Sequence, residues 1–491
     1  MGRRLKPATP WLAAILLWWW VRLHNLLQLP AFIDEGAQLQ WARLVWRMQP
    51  FHGASDGKLL GIWLGAALWP FAGGLWLLRV AGLLVGVCGF AALLATARRW
   101  LGARAAVVAA ALLLVLPHAH FFERMAVADA VSPALLMLVL WSGLHALAAQ
   151  RSRAWAVICG ALLAAAVLAK LSNLVFAAIP FLIALVWLRP AVWRRQLAAL
   201  LQIYLAAVVL LLPVWLALTL VQSDMGFDLL SSKGPHTLGE TIIETGKIVR
   251  SLPGSVAAYW TMPLLVLAGL LWAAGLASRK RMALFCGFAA AAFLVLVVTR
   301  STDGMFESRY LLPVLPLLAL LAGAGAERLL GAASARAQML LSLLALGAAV
   351  PALQFVMLTW VAPQQLPLGA FPDRWEYITG WPSGFALRAV AAELAGRNAP
   401  LTVITVDQGS WERLQAHLPY GSQVRAVVRP LKDWRAGSVP PGMQPDDLLL
   451  LDHPRDDAVP HQLGVGLSAV ETYYRPQRES WVTLYRVQPA P

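Results

Sequence analysis

Long apolar stretches separated by short polar ones dominate the first 360 residues of this chain. A membrane-spanning helix needs about 20 mostly apolar residues, and eleven segments approach that length. They lie near residues 10–29, 75–97, 105–120, 130–149, 155–170, 173–188, 198–221, 257–278, 282–299, 309–330 and 336–360. The pattern predicts a polytopic α-helical membrane protein with about 11 transmembrane helices. Segments 155–170 and 173–188 are short, so they are either two tight spans joined at KLSN or one broken helix.

The first outer loop, predicted at residues 30–74, contains two apolar helices that are not counted as spans. LLGIWLGAALWPF, residues 59–71, is too short to cross a bilayer. QLQWARLVWRM, residues 38–48, places Arg43 and Arg47 on its predicted wet face. Amphipathic helices lie in the membrane interface, so QLQWARLVWRM is predicted at the outer surface, and LLGIWLGAALWPF is predicted either to lie there or to re-enter the membrane slightly.

Basic residues decide the predicted orientation. When the amino terminus is placed inside, the inner loops hold clusters such as GRRLK, ARRWLGAR and SRKR, with Glu327 as the acid among them. The outer loops mix acids with bases. Cytoplasmic loops carry an excess of Lys and Arg, so the alternation favours eleven spans and an extracytoplasmic carboxyl terminus. Arg-rich, Lys-poor loops suit a bacterial inner membrane.

Composition supports the membrane class and argues against nucleic acid as a partner. The chain is 59% hydrophobic and 13% charged, whereas soluble domains carry about 25% charged residues. Its formal net charge of +15 is explained by the basic inner loops. No basic run with interleaved aromatic residues, as in an RNA-binding protein, is present.

The composition changes near residue 362, where polar residues, Pro and Gly become more frequent. SGFALRAVAAELAGRN predicts a helix capped by Ser383. LTVITV and DDLLLLD predict buried strands, while ETYYRP and WVTLYRV predict alternating strands. The sequence thus predicts a transmembrane domain over residues 1–361 and a small extracytoplasmic α/β domain over residues 362–491.

Three outer clusters of charged residues carry the candidate chemistry. Asp34 and Glu35 follow the first span, in which Arg22 and His24 lie near the outer end. HAHFFERMAVADA joins spans three and four, and TRSTDGMFESRYLLPVLP leads into span ten. Ionisable groups near a bilayer are costly and mark functional sites, although each cluster alone also fits ordinary loop charge. Together they are predicted to converge on one outward-facing cavity.

Acids and bases at a membrane surface suit group transfer from a lipid phosphate. A carboxylate can take a proton from an acceptor hydroxyl. Lys and Arg can stabilise the phosphate that leaves.

Several stretches carry a resemblance to a known family. They are VRLHNLLQLPAFIDEG, DGKLLGIWL, the long run from LLRVAGLLVG to MAVADAVSPALLM, and ESRYLLPVLPLLALLAG, in the same order as in that family. The chain resembles the GT-C superfamily of integral membrane glycosyltransferases. It is most similar to the bacterial branch with protein O-mannosyltransferases and the aminoarabinose transferases that modify lipid A.

The resemblance implies a function and a set of site residues. It implies a polyprenyl-phosphate-linked sugar donor and inverting transfer on the outer face, to an acceptor that the sequence does not identify. Asp34 and Glu35 match the catalytic acidic motif, with Asp34 as general base or acceptor-orienting carboxylate. The remaining matches are Asp129 with Arg124 as a second acidic site, and Lys58, Arg309 and Tyr310 as donor phosphate contacts. Metal use varies in the family, so a divalent cation shared by Asp34 and Asp129 stays open.

Two other classes of function stay open. A transporter or lipid flippase would place charges and a broken helix near the bilayer midplane, and KLSN is a candidate break. A non-catalytic scaffold or receptor would work through the carboxy-terminal domain.

Overall fold

The computed structural model describes residues 9–54, 57–149, 153–221, 238–300, 306–332, 334–397, 400–430, 447–453, 456 and 466–488. Helices fill most of the chain up to residue 361, and a small mixed sheet follows near the carboxyl terminus. The predicted fold class is therefore confirmed in its main features, since apolar helices precede a small α/β region.

Seventeen α-helices are found in the described residues. They are α1 (Thr9–Leu23), α2 (Ile33–Trp46), α3 (Leu59–Ala67), α4 (Gly74–Trp100), α5 (Ala103–Val115), α6 (Pro117–Glu123), α7 (Ala128–Gly143), α8 (Arg153–Ala169), α9 (Ala178–Val186), α10 (Trp193–Val221), α11 (Leu238–Ala257), α12 (Met262–Ala277), α13 (Arg281–Arg300), α14 (Val314–Ala332), α15 (Ala335–Val361), α16 (Phe385–Ala395) and α17 (Gln408–His417).

Six helices in the described residues are long and apolar enough to cross a membrane, and the bent pair α5–α6 makes a seventh if it is one span. Four shorter apolar helices are also present, at Pro10–Leu23, Arg153–Ala169, Leu171–Val186 and Met262–Ala277. The chain is thus a multi-pass membrane protein. If all four shorter helices also cross, the count reaches the predicted eleven; that count and the orientation stay predictions.

The segment around KLSN is broken. α8 ends at Ala169, the 3-10 turn Leu171–Ala177 follows, and α9 begins at Ala178. The Asn173 side chain donates to Ser132 Oγ at 2.9 Å and to the carbonyl of Ala166 at 3.0 Å. These bonds hold the break against α7.

The residues form two compact units. The first contains residues 1–24, 51–61 and 80–360, and the second contains residues 25–50, 62–79 and 361–491. Two pieces of the first 80 residues, α2 among them, therefore group with the carboxy-terminal residues. The predicted domain boundary at residue 361 stays a prediction.

Close helix packing builds the first unit. A Cβ on Gly160 of α8 would overlap the backbone of α10, and one on Gly325 of α14 would overlap the backbone of α12. Small residues let membrane helices approach to backbone contact. α7 is buried along nearly its whole length, so the helix that carries Asp129 lies inside this bundle.

The second unit contains a five-stranded sheet in the order β2-β1-β3-β5-β4. Its strands are β1 (Leu401–Thr405), β2 (Val424–Val428), β3 (Leu448–His453), β4 (Gly466–Tyr474) and β5 (Trp481–Gln488). β2, β1 and β3 are parallel, whereas β5 is antiparallel to both β3 and β4. Apolar residues of α16 and α17 cover one face of the sheet.

Two details of this unit differ from the sequence-based prediction. β2 was not predicted, and Ser383 does not cap α16. The residue at the helix start is Gly384, without a side-chain cap, and the Ser383 hydroxyl donates instead to the carbonyl of Ile378 at 3.0 Å. The hydroxyl thus stabilises the preceding turn.

Candidate active site

Glu35 is a fully buried carboxylate at the start of α2. Arg79 donates to both of its oxygens, from Nε and from Nη2, each at 2.7 Å. The backbone N–H of Phe32 donates to it at 3.0 Å. A bidentate guanidinium–carboxylate pair has fixed geometry, so Glu35 and Arg79 lock the first turn of α2.

Arg79 also fixes the chain that leads to Asp34. Its Nη1 donates to the carbonyls of Leu26 and Leu29, at 2.6 and 2.8 Å, and its Nη2 donates to that of Pro30 at 3.2 Å. One side chain thus satisfies three carbonyls and a carboxylate. Sequence reasoning missed Arg79, although an Arg inside the apolar run LLRVAGLL is a signal of a functional or structural site.

Asp34 lies one residue earlier and is partly exposed. Acidic groups are favoured in the first turn of a helix. Its negative charge acts on Glu412 of α17. The structure therefore places the two members of the acidic motif differently, with Glu35 buried in an ion pair and Asp34 accessible at the helix start.

In the first unit, a second cluster surrounds Asp129. Asp129 lies in the first turn of α7 and accepts a hydrogen bond from Lys170 Nζ at 2.5 Å. Arg309 Nε lies 3.8 Å from its other oxygen and also pairs with Glu307. These four side chains are two cations and two carboxylates in mutual contact.

Tyr310 closes this cluster. Its hydroxyl donates to Glu307 at 3.0 Å, and Lys170 Nζ lies 4.6 Å from the centre of its ring. The structure thus brings together three of the predicted residues, namely Asp129, Arg309 and Tyr310. It adds Lys170 and Glu307, which were not among the predicted site residues; the signal for Lys170 was a Lys at the break of an apolar segment.

Lys58 lies beside the same break through the backbone. The N–H of Leu171 donates to the carbonyl of Gly57 at 3.1 Å. Lys58 directly follows Gly57, and Lys170 directly precedes Leu171. This hydrogen bond therefore brings the backbones of Lys58 and Lys170 close together. The Lys58 backbone therefore lies near this cluster, and a contact of Lys58 with the donor phosphate stays a prediction.

Arg124 binds backbone carbonyls at the end of α1. Its Nη1 donates to the carbonyls of Arg22 and His24, at 3.1 and 2.7 Å. Carbonyls at a helix end lack partners within the helix, so this contact stabilises the turn that follows α1. A role for Arg124 beside Asp129 stays a prediction.

Arg22 and Glu123 hold the bend between α5 and α6, which is 62°. Arg22 Nε donates to Glu123 at 2.9 Å, and its Nη atoms donate to the carbonyls of Leu113 and Leu114, at 2.9 and 2.7 Å. These carbonyls lie at the end of α5, just before the bend. Arg22 and Glu123, two of the charged residues noted in the sequence, therefore stabilise the bend.

Two histidines of the same cluster also have structural partners. His118 Nε2 lies 2.9 Å from the carbonyl of Ser308, and His120 Nε2 lies 2.7 Å from Thr359 Oγ1. Asp303 and the side chain of Arg300 lie outside the described residues.

The residues present do not fit a divalent cation well. Among the described residues, no group of three or more His, Cys, Asp or Glu side chains could hold a metal ion. Lys170 and Arg309 already neutralise the Asp129 carboxylate, whereas Mg²⁺ and Ca²⁺ sites need several free oxygen ligands.

Comparisons with known proteins agree with the motifs. Residues 59–216 match the family described as dolichyl-phosphate-mannose-protein mannosyltransferase. No curated protein matches the sequence.

Two solved structures have a similar fold over nearly the whole chain. ArnT from Cupriavidus metallidurans in the apo state is 19% identical, with a TM-score of 0.64, covering 97% of this chain and 98% of that one. The same protein bound to undecaprenyl phosphate is 19% identical with a TM-score of 0.65, covering 99% of this chain and 100% of that one. The match over residues 59–216 therefore confirms the resemblance to the GT-C superfamily of integral membrane glycosyltransferases, and the two structures show that nearly the whole chain has an ArnT-like fold.

Proposed function

We propose that this protein transfers a sugar from a polyprenyl-phosphate-linked donor to an acceptor hydroxyl at the outer face of a bacterial inner membrane. The observation that carries the proposal is the cluster of Lys170, Arg309 and Tyr310 around Asp129, at the ends of apolar helices. A relative in fold, ArnT, has been solved with undecaprenyl phosphate bound. Paired cations beside a lipid-facing bundle suit the phosphate of such a donor.

Two cations are suited to the charge that develops in the reaction. The bond between the sugar C1 and the phosphate oxygen breaks, and the oxygen keeps the electron pair. The phosphodiester, with one negative charge, thereby becomes a phosphate monoester with up to two. Lys170 and Arg309 would stabilise that added charge, an interaction that is stronger in the transition state than in the bound donor.

Asp34 is proposed as the base. It takes the proton of the acceptor hydroxyl while the hydroxyl oxygen attacks C1 from the face opposite the phosphate, which inverts the configuration. Partial exposure leaves the Asp34 carboxylate accessible to an acceptor. Glu35, which is also predicted to be catalytic, would act by holding Asp34 in place through its pair with Arg79.

The test is an assay of donor breakdown. Purified protein is incubated with a panel of polyprenyl-phosphate sugars and candidate acceptors, and free polyprenyl phosphate is measured. Asp34→Asn should abolish release while the protein still folds. Glu393→Gln is the matched control, because Glu393 is a partly exposed acid paired with Arg397. Near-normal turnover by Asp34→Asn would refute the assignment of the base.

A transporter is the second candidate, and the break between α8 and α9 favours it. Discontinuous helices with polar residues form substrate sites in many transporters, and Lys170 lies at this break. Movement of a labelled donor lipid across proteoliposomes, without chemical change, would support transport and contradict the transferase.

A further inference from the structure

α17 contacts the segment 31–36 at two points, one on each side of Asp34. At one end, the backbone N–H of Ala31 donates to His417 Nε2 at 3.2 Å. At the other end, a Cβ on Gly36 would lie 3.0 Å from the backbone N of Arg413 and 3.1 Å from the backbone carbonyl carbon of Glu412. The helix backbone at Glu412 is thus pressed against α2 two residues from Asp34.

α17 is itself held rigidly. Asp407 caps its start by accepting from the N–H of Ser410 at 2.9 Å. Arg413 is fully buried and donates to Asp452 at 3.3 Å and to the carbonyl of Trp381. A helix fixed in this way can hold a side chain in a defined position relative to α2.

His417 keeps its contact with Ala31 over a wide range of pH. Burial, together with the nearby positive charges of Arg388, Arg79 and Arg413, lowers the pKa of His417 to about 3. The imidazole is therefore neutral at physiological pH, so Nε2 can accept the hydrogen bond. The contact between His417 and Ala31 therefore does not change over the pH range in which Glu412 titrates.

The Glu412 side chain is 5% exposed and accepts a hydrogen bond from Gln408 Nε2 at 3.0 Å. Burial is the main reason that the pKa of Glu412 is raised to about 7; the hydrogen bond from Gln408 and the charge of Arg413 oppose the rise, and the negative charges of Asp407 and Asp34 add to it. Both protonation states are therefore populated near neutral pH. Because the interaction of two charges is mutual, ionised Glu412 acts on Asp34 as Asp34 acts on it.

The charged groups around Glu412 come from two elements. Asp407 and Arg413 belong to α17 and its cap, and Asp34 belongs to α2. α16 also packs against α17, but its Arg388 acts on His417. β1 carries no titratable side chain, and β2 exposes Arg425.

We propose that Glu412 is a positioning residue for Asp34, supplied by the carboxy-terminal part of the chain and active in its protonated form. A neutral Glu412 adds no negative charge beside the Asp34 carboxylate. Ionisation of Glu412 adds one next to α2, and the repulsion displaces Asp34 from its working position. This proposal rests on the proposed function, since it concerns the rate of transfer by Asp34.

The test is the pH profile of donor release by the full-length protein. In the wild type, release should fall on the alkaline side with a midpoint near pH 7, by at least about tenfold between pH 6.5 and pH 8.5. Glu412→Gln, which cannot ionise, should keep its rate over that range. Glu393→Gln is the control and should follow the wild type.

A second variant protects the test against misfolding of the first. Gln408→Leu removes the hydrogen bond that favours ionised Glu412, so it should move the alkaline fall to higher pH without abolishing it. Asp34-dependent release whose pH profile is unchanged in both variants would overturn the role of Glu412 alone. No release by the wild type with any donor would instead overturn the proposed function, and the role of Glu412 with it.

Discussion

Removal of one partner of the Glu35–Arg79 pair should destabilise the second unit far more than removal of both. The two side chains are 0% and 1% exposed and joined by two hydrogen bonds of 2.7 Å. Breaking a buried pair by removing one partner costs about 3–5 kcal/mol, because the remaining charge is buried without compensation. Loss of Arg79 would in addition leave three carbonyls without its hydrogen bonds.

The prediction concerns Glu35→Leu, Arg79→Met and the double variant. Each single change should lower the melting temperature by about 2–4 °C per kcal/mol lost, the range for a unit of 150–250 residues. The double variant should recover the part of the loss that comes from an unpaired buried charge, because apolar residues of similar size tolerate the buried site, whereas the three carbonyls stay without Arg79. The assay is the fraction of monodisperse protein that remains after heating in detergent, with Glu393→Gln as control.

The result that would refute this reasoning is additivity. If the double variant lost as much stability as the two single variants together, Glu35 and Arg79 would act independently, and the pair could not be what holds Asp34. A single variant that melted like the wild type would contradict the burial of the pair. The same proteins tested for donor release would show whether transfer follows the state of the pair.

Three further predictions concern other parts of the candidate site. Lys170→Ala should lower the rate of donor release by about 10²–10³-fold, as expected for the loss of a group that stabilises a developing charge. The control Lys280→Ala, which removes a donor to the carbonyl of Leu101, should have little effect. Equal rates of release by the two variants would exclude Lys170 from the site. Gly36→Ala should destabilise the second unit by about 1–3 kcal/mol because its methyl group meets the backbone of α17, and unchanged melting would show that the two helices are free to separate. The pKa of Glu412 is raised from 4.5 to about 7, so the stability that its protonation provides is complete below pH 4.5 and is lost as the pH rises through 7. Relative to the wild type, Glu412→Gln should therefore gain up to about 3 kcal/mol of stability between these pH values. A difference in melting temperature that stays constant with pH would contradict the burial of this carboxyl.

Local patterns explain how much could be predicted from the sequence. Apolar length predicted the long helices, short apolar runs predicted the buried strands β1 and β3, and alternation predicted β4 and β5. β4 begins earlier than ETYYRP suggested, at Gly466, and β2 was missed because SQVRAVV is a short edge strand with an exposed Arg425. Ser383 met the rule for a capping residue, but a carbonyl nearby competed for its hydroxyl.

The partners of the charged residues could not be predicted in this way. Asp34, Asp129, Arg309 and Tyr310 could be predicted because each stands in a recognisable stretch. Arg79 and Lys170 were missed because their importance comes from partners 44 and 41 positions away. Glu412 is more distant still, in an ordinary amphipathic helix whose neighbour is known only once the chain has folded.

The double contact of α17 with the segment 31–36 has a consequence for protein engineering and for evolution. A chain truncated near residue 361 would expose the face of α2 that α17 covers, and an isolated carboxy-terminal fragment would lose the helix against which Gly36 and Ala31 lie. Truncation is therefore a poor way to ask what the carboxy-terminal part does. Substitutions in these two regions should be inherited together, and a chimera of two related proteins should work only when residues 25–50 and 385–417 come from the same parent.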